Sequence, residues 1–278
     1  MKNLLCKKSY FLTVSIISLL AISLRTLTLY ANIDPSTGFY KSRSAADRVL
    51  LLILLAAALL FGVCWQFVLK RRAVLPVNLN YDFAPLANQR PLFAMMTVGF
   101  AVNTFYEIFR LANPMPTDNP NANITLFAVM TTLLSAASLI FFLMLSFLIE
   151  NQHIGQSGLC LVIAAWVIFR ILRDFVSFTT LFYISKNLLD ILYLCMLLIS
   201  ILSAARVFSD VDRKKGLRLF HIVTPITIVL GFVLSIPAIF CFVCGSESVG
   251  GSDVFMHFVD LTLSVFLFRC ALFFYREA

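Results

Sequence analysis

Eight long apolar blocks make up most of the chain, and they restrict what it can fold into. The run from Leu50 to Leu60 is apolar throughout, and comparable runs recur along the 278 residues. A helix crosses the hydrocarbon core of a bilayer in about 20 residues, whereas a barrel strand alternates in polarity and runs about 10 residues. Continuous apolar blocks of this length therefore predict transmembrane helices.

The composition agrees with this interpretation and excludes other classes of protein. Hydrophobic residues form 60% of the chain and charged residues 13%, against about 45–50% and about 25% in soluble domains. A soluble domain, a disordered chain and a small disulfide scaffold are therefore excluded. The longest connections between blocks are about 20 residues, which is too short for a separate core. The sequence predicts an all-α, polytopic transmembrane helical bundle of about eight spans with no soluble domain.

We expect one integral membrane domain over residues 1–278. The first block also fits a signal peptide, because Lys2, Lys7 and Lys8 precede it and Arg25 interrupts it. No small-residue cleavage site lies nearby, so we expect an uncleaved helix. The predicted spans cover about 10–30, 49–69, 91–112, 124–148, 158–178, 181–207, 219–243 and 254–275.

Basic residues in the short connections predict the orientation. They cluster before the first span, after the second and after the sixth, and with eight spans these positions fall on one side. Lys and Arg in short loops mark the cytoplasmic side, so both termini are expected in the cytoplasm, with a bacterial cytoplasmic membrane as the default location. One basic cluster falls on the opposite side and does not fit this orientation: Lys41, Arg43 and Arg48.

The formal charge of +8 is attributed to these topogenic clusters and not to nucleic-acid binding. The same clusters suit the anionic headgroups of membrane lipids. The residues expected at such headgroups are Lys70, Arg71, Arg72, Arg213, Lys214 and Lys215.

Charged residues within the spans are the candidates for function. A charge at the centre of a bilayer costs about 2.5–3.5 kcal/mol even on the mild insertion scale, so such side chains usually face protein or water. Under the predicted topology, four basic and four acidic residues fall in the outer half of the membrane, and a histidine shares a helix face with one of them. The predicted ligand-binding residues are Arg25, Glu107, Arg110, Arg170, Arg173, Asp174, Asp190, His257 and Asp260.

Two of these charged segments resemble each other. Arg170, Arg173 and Asp174 share one helix face. The segment Tyr106–Arg110 (YEIFR) is similar to Trp166–Arg170 (WVIFR). A remnant of hairpin duplication and a coincidence among 28 phenylalanines both explain the similarity.

Two interpretations of the charged layer stay open. Equal numbers of the two signs favour a salt-bridge network that fixes which helices are neighbours. Four arginines near one level favour an outward-facing polar cavity for a small charged or zwitterionic solute, because guanidinium groups suit carboxylate and phosphate.

Other chemistries lack most of their residues. The pair Cys241 and Cys244 has the spacing of a thiol-oxidoreductase centre but no second cysteine pair to relay electrons. The histidines His153, His221 and His257 fall on two sides of the predicted membrane, so we expect no metal and no cofactor.

Three hypotheses of function follow in order. The first is a transporter or solute-binding permease with an outward-facing charged cavity. The second is a non-catalytic membrane sensor, assembly factor or partner-bound subunit whose charges are structural. The third is a membrane enzyme acting on a lipid or a thiol.

Overall fold

The computed structural model describes seven α-helices. It covers residues 2–32, 49, 53, 90–113, 122–148, 156–177, 184–209, 211–244 and 254–277. Every regular element in these ranges is helical, which confirms the all-α prediction. The helices are α1 Lys2–Asn32, α2 Arg90–Ala112, α3 Ala122–Leu148, α4 Gln156–Ser177, α5 Ile184–Phe208, α6 Arg213–Val243 and α7 Val254–Glu277.

Seven of the eight predicted spans coincide with these helices. The remaining one, 49–69, lies outside the described residues except at positions 49 and 53. Five helices in the described part of the chain are long and apolar enough to cross a membrane, namely α2, α3, α5, α6 and α7. In α1 the apolar stretch is shorter, Leu12–Leu27, and α4 carries three charged residues in its last turns. The fold is consistent with a helical membrane bundle.

The chain divides into two compact units, which are described separately. We call Pro76–Phe220 the central unit, and Met1–Leu75 with His221–Ala278 the terminal unit. The boundary falls within α6. The expectation of one membrane domain over the whole chain stays a prediction.

In the central unit, each helix packs against the next: α2 on α3, α3 on α4, and α4 on α5. Phe93 near the start of α2 meets Phe142 near the end of α3, with ring centroids 6.4 Å apart. Further along α2, Asn103 bonds Ser135, which comes earlier in α3. Because the partners move backwards along α3, α2 and α3 are antiparallel.

The helices α2 and α4 run in the same direction. Phe100 meets Trp166 at a centroid distance of 5.4 Å, and Glu107 meets Arg173. In both pairs the partners are 66 residues apart in sequence. The similar segments noted above align at 60 residues (166 − 106), so they are six residues, or about 9 Å along the axis, out of this register.

Aromatic side chains form the middle of the central unit. Phe100 stacks on Phe142 with centroids 5.6 Å apart, and Trp166 meets Phe100 edge-on. All three are almost fully buried. Aromatic pairs of this geometry add about 0.5–1.5 kcal/mol beyond their buried area, so they hold α2, α3 and α4 in one register.

The polarity of α2 is reversed relative to a helix in a water-soluble protein. Its exposed side chains include Phe105, Ile108 and Phe109, with Phe105 exposed to 72%. Its buried side chains include Asn103 and Glu107. An apolar surface around a polar interior suits hydrocarbon surroundings, where polar groups must find partners inside the protein.

In the terminal unit, α1 packs against α7. The buried side chains of α1 recur every three or four residues, which is the spacing of one helix face. Ser18 and Arg25 are the polar members of this face, so α1 buries a charge instead of exposing it. In order, the face consists of Val14, Ser18, Ala21, Arg25 and Leu29.

The connection between α5 and α6 is tight. Asp212 adopts a left-handed backbone conformation with φ of 49°, and its carbonyl accepts the amide hydrogens of Lys215 and Gly216. A Cβ on Gly216 would lie 3.0 Å from the Cβ of Arg206 and 3.3 Å from the carbonyl oxygen of Ser203. The glycine therefore permits the first turn of α6 to approach the end of α5.

Candidate functional site

A buried ion pair lies near the end of α2 and α4 in the central unit. Nη1 of Arg173 donates to Oε1 of Glu107 at 2.6 Å. Nε of the same guanidinium lies 3.6 Å from Oδ1 of Asp174. Residues Glu107 and Arg173 lie near the ends of two parallel helices, so the contact depends on the α2–α4 register. One guanidinium thus faces a carboxylate on each of two helices.

The charges of this pair are removed from solvent. The side chain of Glu107 is 2% exposed and that of Arg173 is 9% exposed, whereas Asp174 is 22% exposed. Taking two charges out of water costs several kcal/mol per ion, and only close pairing offsets this. Separating Glu107 from Arg173 is therefore costly unless another charged group takes the place of one of them.

Arg170 lies one turn before Asp174 and is also buried. Its guanidinium carbon is 5.4 Å from the ring centroid of Trp166 on the same helix. The electron-rich face of an indole attracts a cation, with about 2 kcal/mol where the site is shielded from water. Trp166 therefore links the aromatic core to the charged end of the unit.

Arg110 and Asp190 are half-buried. Arg110 is in the last turn of α2. Asp190 lies in the second turn of α5, and only residues 178–183 separate α5 from α4, so it is near the same end of the unit. Six of the nine predicted residues thus belong to this charged end: Glu107, Arg110, Arg170, Arg173, Asp174 and Asp190.

The remaining three predicted residues belong to the terminal unit. Arg25, His257 and Asp260 are all buried. Nδ1 of His257 lies 3.8 Å from Oδ2 of Asp260, one turn further along α7. A single layer that unites these residues with the central unit stays a prediction.

A cluster of neutral polar side chains lies one helical turn before Glu107 on α2. These residues were not among those predicted from the sequence. Nδ2 of Asn103 donates to Oγ of Ser135 at 3.0 Å, and the hydroxyls of Thr104 and Ser135 are 2.9 Å apart. All three side chains are buried. The available signal was the spacing: Asn103 precedes Glu107 by four residues, so the two share a helix face.

The two cysteines at the end of α6 differ in their exposure. Cys241 is buried, Cys244 is exposed, and both are free thiols. Within the ranges given above, no three His, Cys, Asp or Glu residues are placed to hold a metal ion.

The basic residues expected at lipid headgroups are only partly described. Lys70, Arg71 and Arg72 lie outside the described residues, and Arg213 and Lys214 begin α6. Lys215 is exposed, with Nζ 3.4 Å from Oδ2 of Asp212. Headgroup binding stays a prediction.

Comparison with known protein families, with curated protein sequences and with solved structures finds no match to this chain. The class of protein therefore rests on the chain itself. Its apolar helices and reversed polarity are those of a membrane-embedded helical protein, with charged side chains buried among the helices.

Proposed function

We propose that this protein is a solute-binding permease of a cell membrane, and that a small charged solute binds at the charged end of the central unit. The observation that carries the proposal is the buried pair of Glu107 and Arg173, with Asp174 beside it. Ionisable residues inside a membrane are costly and commonly mark solute or ion pathways. A solute with a carboxylate or phosphate would compete with Glu107 for the guanidinium.

The energetics of buried pairs support a role beyond packing. Replacing such a pair with apolar residues of similar volume is often neutral or stabilising, so stability alone gives little reason to keep one. A guanidinium also offers a planar set of donors that matches carboxylate and phosphate groups. Arg173 and the half-buried Arg110 are the residues assigned to anionic groups, and Glu107 and Asp174 are their counter-ions.

A second candidate function is favoured by the short distance of 2.6 Å between Arg173 and Glu107. A pair this close can fix α2 and α4 as neighbours in one register, as buried polar contacts do in some helical proteins. We call a pair with this purely structural role a lock. The protein would then be a non-catalytic membrane component, such as a sensor or a partner-bound subunit.

A charge exchange separates the two functions. In Glu107→Arg/Arg173→Glu/Asp174→Asn the pair keeps both charges but reverses their positions, and the third substitution removes the carboxylate that would repel a glutamate at position 173. A lock tolerates the exchange, because opposite charges still face each other. A binding site does not, because the solute then meets charges of the wrong sign. The matched control exchanges the exposed pair, Asp212→Lys/Lys215→Asp.

The measurement is the thermal unfolding temperature of the purified protein in detergent, with and without a panel of small anions, cations and zwitterions. For a permease, at least one solute raises the unfolding temperature of the original protein and of the control, and the exchanged protein loses that response. The same solute is then tested for uptake into proteoliposomes. If no solute raises the unfolding temperature of the original protein, and the exchanged protein unfolds at the same temperature, the ion pair is a lock and the permease proposal is wrong. If the exchanged protein does not fold, Glu107→Gln/Arg173→Gln replaces it.

A further inference from the structure

Two cysteines lie at the end of α6 in the terminal unit, Cys241 in its last turn and Cys244 directly after it. Cys241 is 2% exposed, whereas Cys244 is exposed and follows Val243, which is exposed to 77%. The end of α6 therefore projects beyond the packed part of the unit. Cys244 still takes part in the helical hydrogen bonding, because its amide donates to the carbonyl of Phe240 at 3.0 Å.

This hydrogen bonding sets the distance between the two cysteines. Residues three apart on an α-helix share a face, and their Cα atoms are about 5 Å apart, which is within the range of about 4.4–6.8 Å that disulfides join. Their Cβ atoms are about 5–6 Å apart and must approach to about 3.5–4.5 Å in a disulfide. Because Cys244 lies beyond Val243, the last residue of α6, only the final turn has to shift.

Exposure gives the two thiols different roles. Thiol–disulfide exchange proceeds by attack of a thiolate on a disulfide sulfur, through a mixed disulfide. A dissolved disulfide can reach the exposed Cys244 but not the buried Cys241. An exposed thiol next to a second, resolving thiol is the usual arrangement of redox-sensitive cysteines. The predicted orientation places this end of α6 outside the cytoplasm, where disulfides form and persist.

We propose that Cys241 and Cys244 form a reversible redox site that is oxidised by a low-molecular-weight disulfide. The thiolate of Cys244 attacks one sulfur of that disulfide, which forms a mixed disulfide and releases one thiolate. The thiolate of Cys241 then attacks the sulfur of Cys244, which forms the internal disulfide and releases the second thiolate. The two protons that the cysteines lose end on the released thiols, so the cysteines are oxidised and the dissolved disulfide is reduced.

The internal disulfide is expected to be easily reduced. Strained or exposed disulfides are reduced more readily than structural ones, and this one requires the last turn of α6 to move. The sequence contains no second cysteine pair of the same spacing that could relay the electrons. The site is therefore a switch between two forms of the end of α6, and it does not depend on the proposed permease.

The test uses the full-length protein in detergent, with oxidised glutathione as the disulfide. After the remaining thiols are blocked with a maleimide, trypsin releases the peptide 219–269, which contains Cys241, Cys244 and none of the other cysteines of the chain. We expect mass spectrometry to find this peptide with an internal disulfide, without attached glutathione and without maleimide. Reduced glutathione should restore both thiols.

Two variants separate the roles of the cysteines. In Cys241→Ser no resolving thiol is present, so one glutathione should stay attached to Cys244. The matched control, Val243→Cys/Cys244→Ser, moves the exposed cysteine by one residue. Positions two apart on a helix do not face each other, so the control should also keep its glutathione and form no internal disulfide.

Several results would overturn the proposal. It is wrong if the original protein keeps glutathione on Cys244 while Cys241 stays a thiol, if Cys244 does not react, or if the Cys244 residues of two molecules join instead. It is also wrong if the control forms an internal disulfide as readily as the original protein, or if reduced glutathione leaves the internal disulfide intact. The measurement on the original protein needs no variant to fold.

Discussion

Arg173 donates to Glu107 at 2.6 Å across two helices that run in the same direction, and the pair has the same 66-residue separation as the ring contact between Phe100 and Trp166. The aromatic contact and the ionic contact therefore belong to one register of α2 against α4. A shift of one turn in either helix would break both contacts. The position of the charged site is thus set by the packing of the aromatic core.

The first prediction concerns the cost of breaking this ion pair. Glu107→Leu removes the carboxylate to which the buried guanidinium of Arg173 donates, and we expect a loss of about 3–5 kcal/mol in the free energy of unfolding. Adding Arg173→Leu should recover most of that loss, because no charge then remains buried without its partner. Unfolding by SDS titration in mixed micelles measures both values.

The control for this prediction is Lys215→Ala, which removes an exposed pair whose side chains are 76% and 62% exposed. Exposed pairs have little effect, so the change should stay below about 1 kcal/mol. A Glu107→Leu protein as stable as this control would contradict the assignment of a tightly paired, buried charge.

The second prediction concerns the aromatic core. Phe142→Ala removes a fully buried ring that contacts both Phe93 and Phe100. We expect a loss of about 3–5 kcal/mol from lost contacts and the remaining cavity. Phe105→Ala removes the same group from the exposed face of α2 and should change stability by about 0.5 kcal/mol or less. Equal losses in the two variants would show that the assigned inner and outer faces of α2 are incorrect.

The third prediction concerns the turn between α5 and α6. Gly216→Val brings a branched side chain against the Cβ of Arg206, where even a single carbon would lie at 3.0 Å. We expect a loss of about 1–3 kcal/mol, as for other overpacked contacts. Leu219→Val, at an exposed site on the same helix, is the control for β-branching. If both substitutions cost only a few tenths of a kcal/mol, the close approach of the two helices is not required.

The fourth prediction tests the orientation derived from the basic clusters. In a variant whose only cysteine is Cys244, a membrane-impermeant maleimide should label intact cells, since this exposed residue follows the end of α6. A variant whose only cysteine is Lys215→Cys should be labelled only after the cells are permeabilised. Labelling of position 215 in intact cells would reverse the predicted orientation, in which both termini are cytoplasmic.

The ends of the helices were predictable from hydropathy to within a few residues, but some of their starts were not. The third predicted span, 91–112, matches Arg90–Ala112 closely, whereas the seventh, 219–243, begins six residues later than Arg213–Val243. Hydropathy reports where a segment is apolar enough for lipid. A helix continues through basic residues such as Lys214 and Lys215, which are good helix formers, and so it starts before its apolar part.

The sequence was enough to select most of the charged residues of the candidate site, but not to say which acidic residue pairs with which arginine. Arg170, Arg173 and Asp174 were selected because charges are rare and costly inside a span. The partner of Arg173 could not be selected, because Glu107 and Asp174 are both acidic and only the α2–α4 register distinguishes them. Asn103 was missed for a different reason: a neutral amide has a modest insertion cost and does not stand out among polar residues.

The sequence by itself determined that the chain is helical, that its helices suit a membrane and that charges lie within them. These are local properties, since a run of side chains sets its own preference for lipid or water. The tertiary structure alone decided which charges meet, which face of α2 is buried, and that Asn103 bonds Ser135 one turn from Glu107. Those features depend on the neighbours and the register of whole helices, which the aromatic contacts of Phe100, Phe142 and Trp166 establish over long separations in the chain.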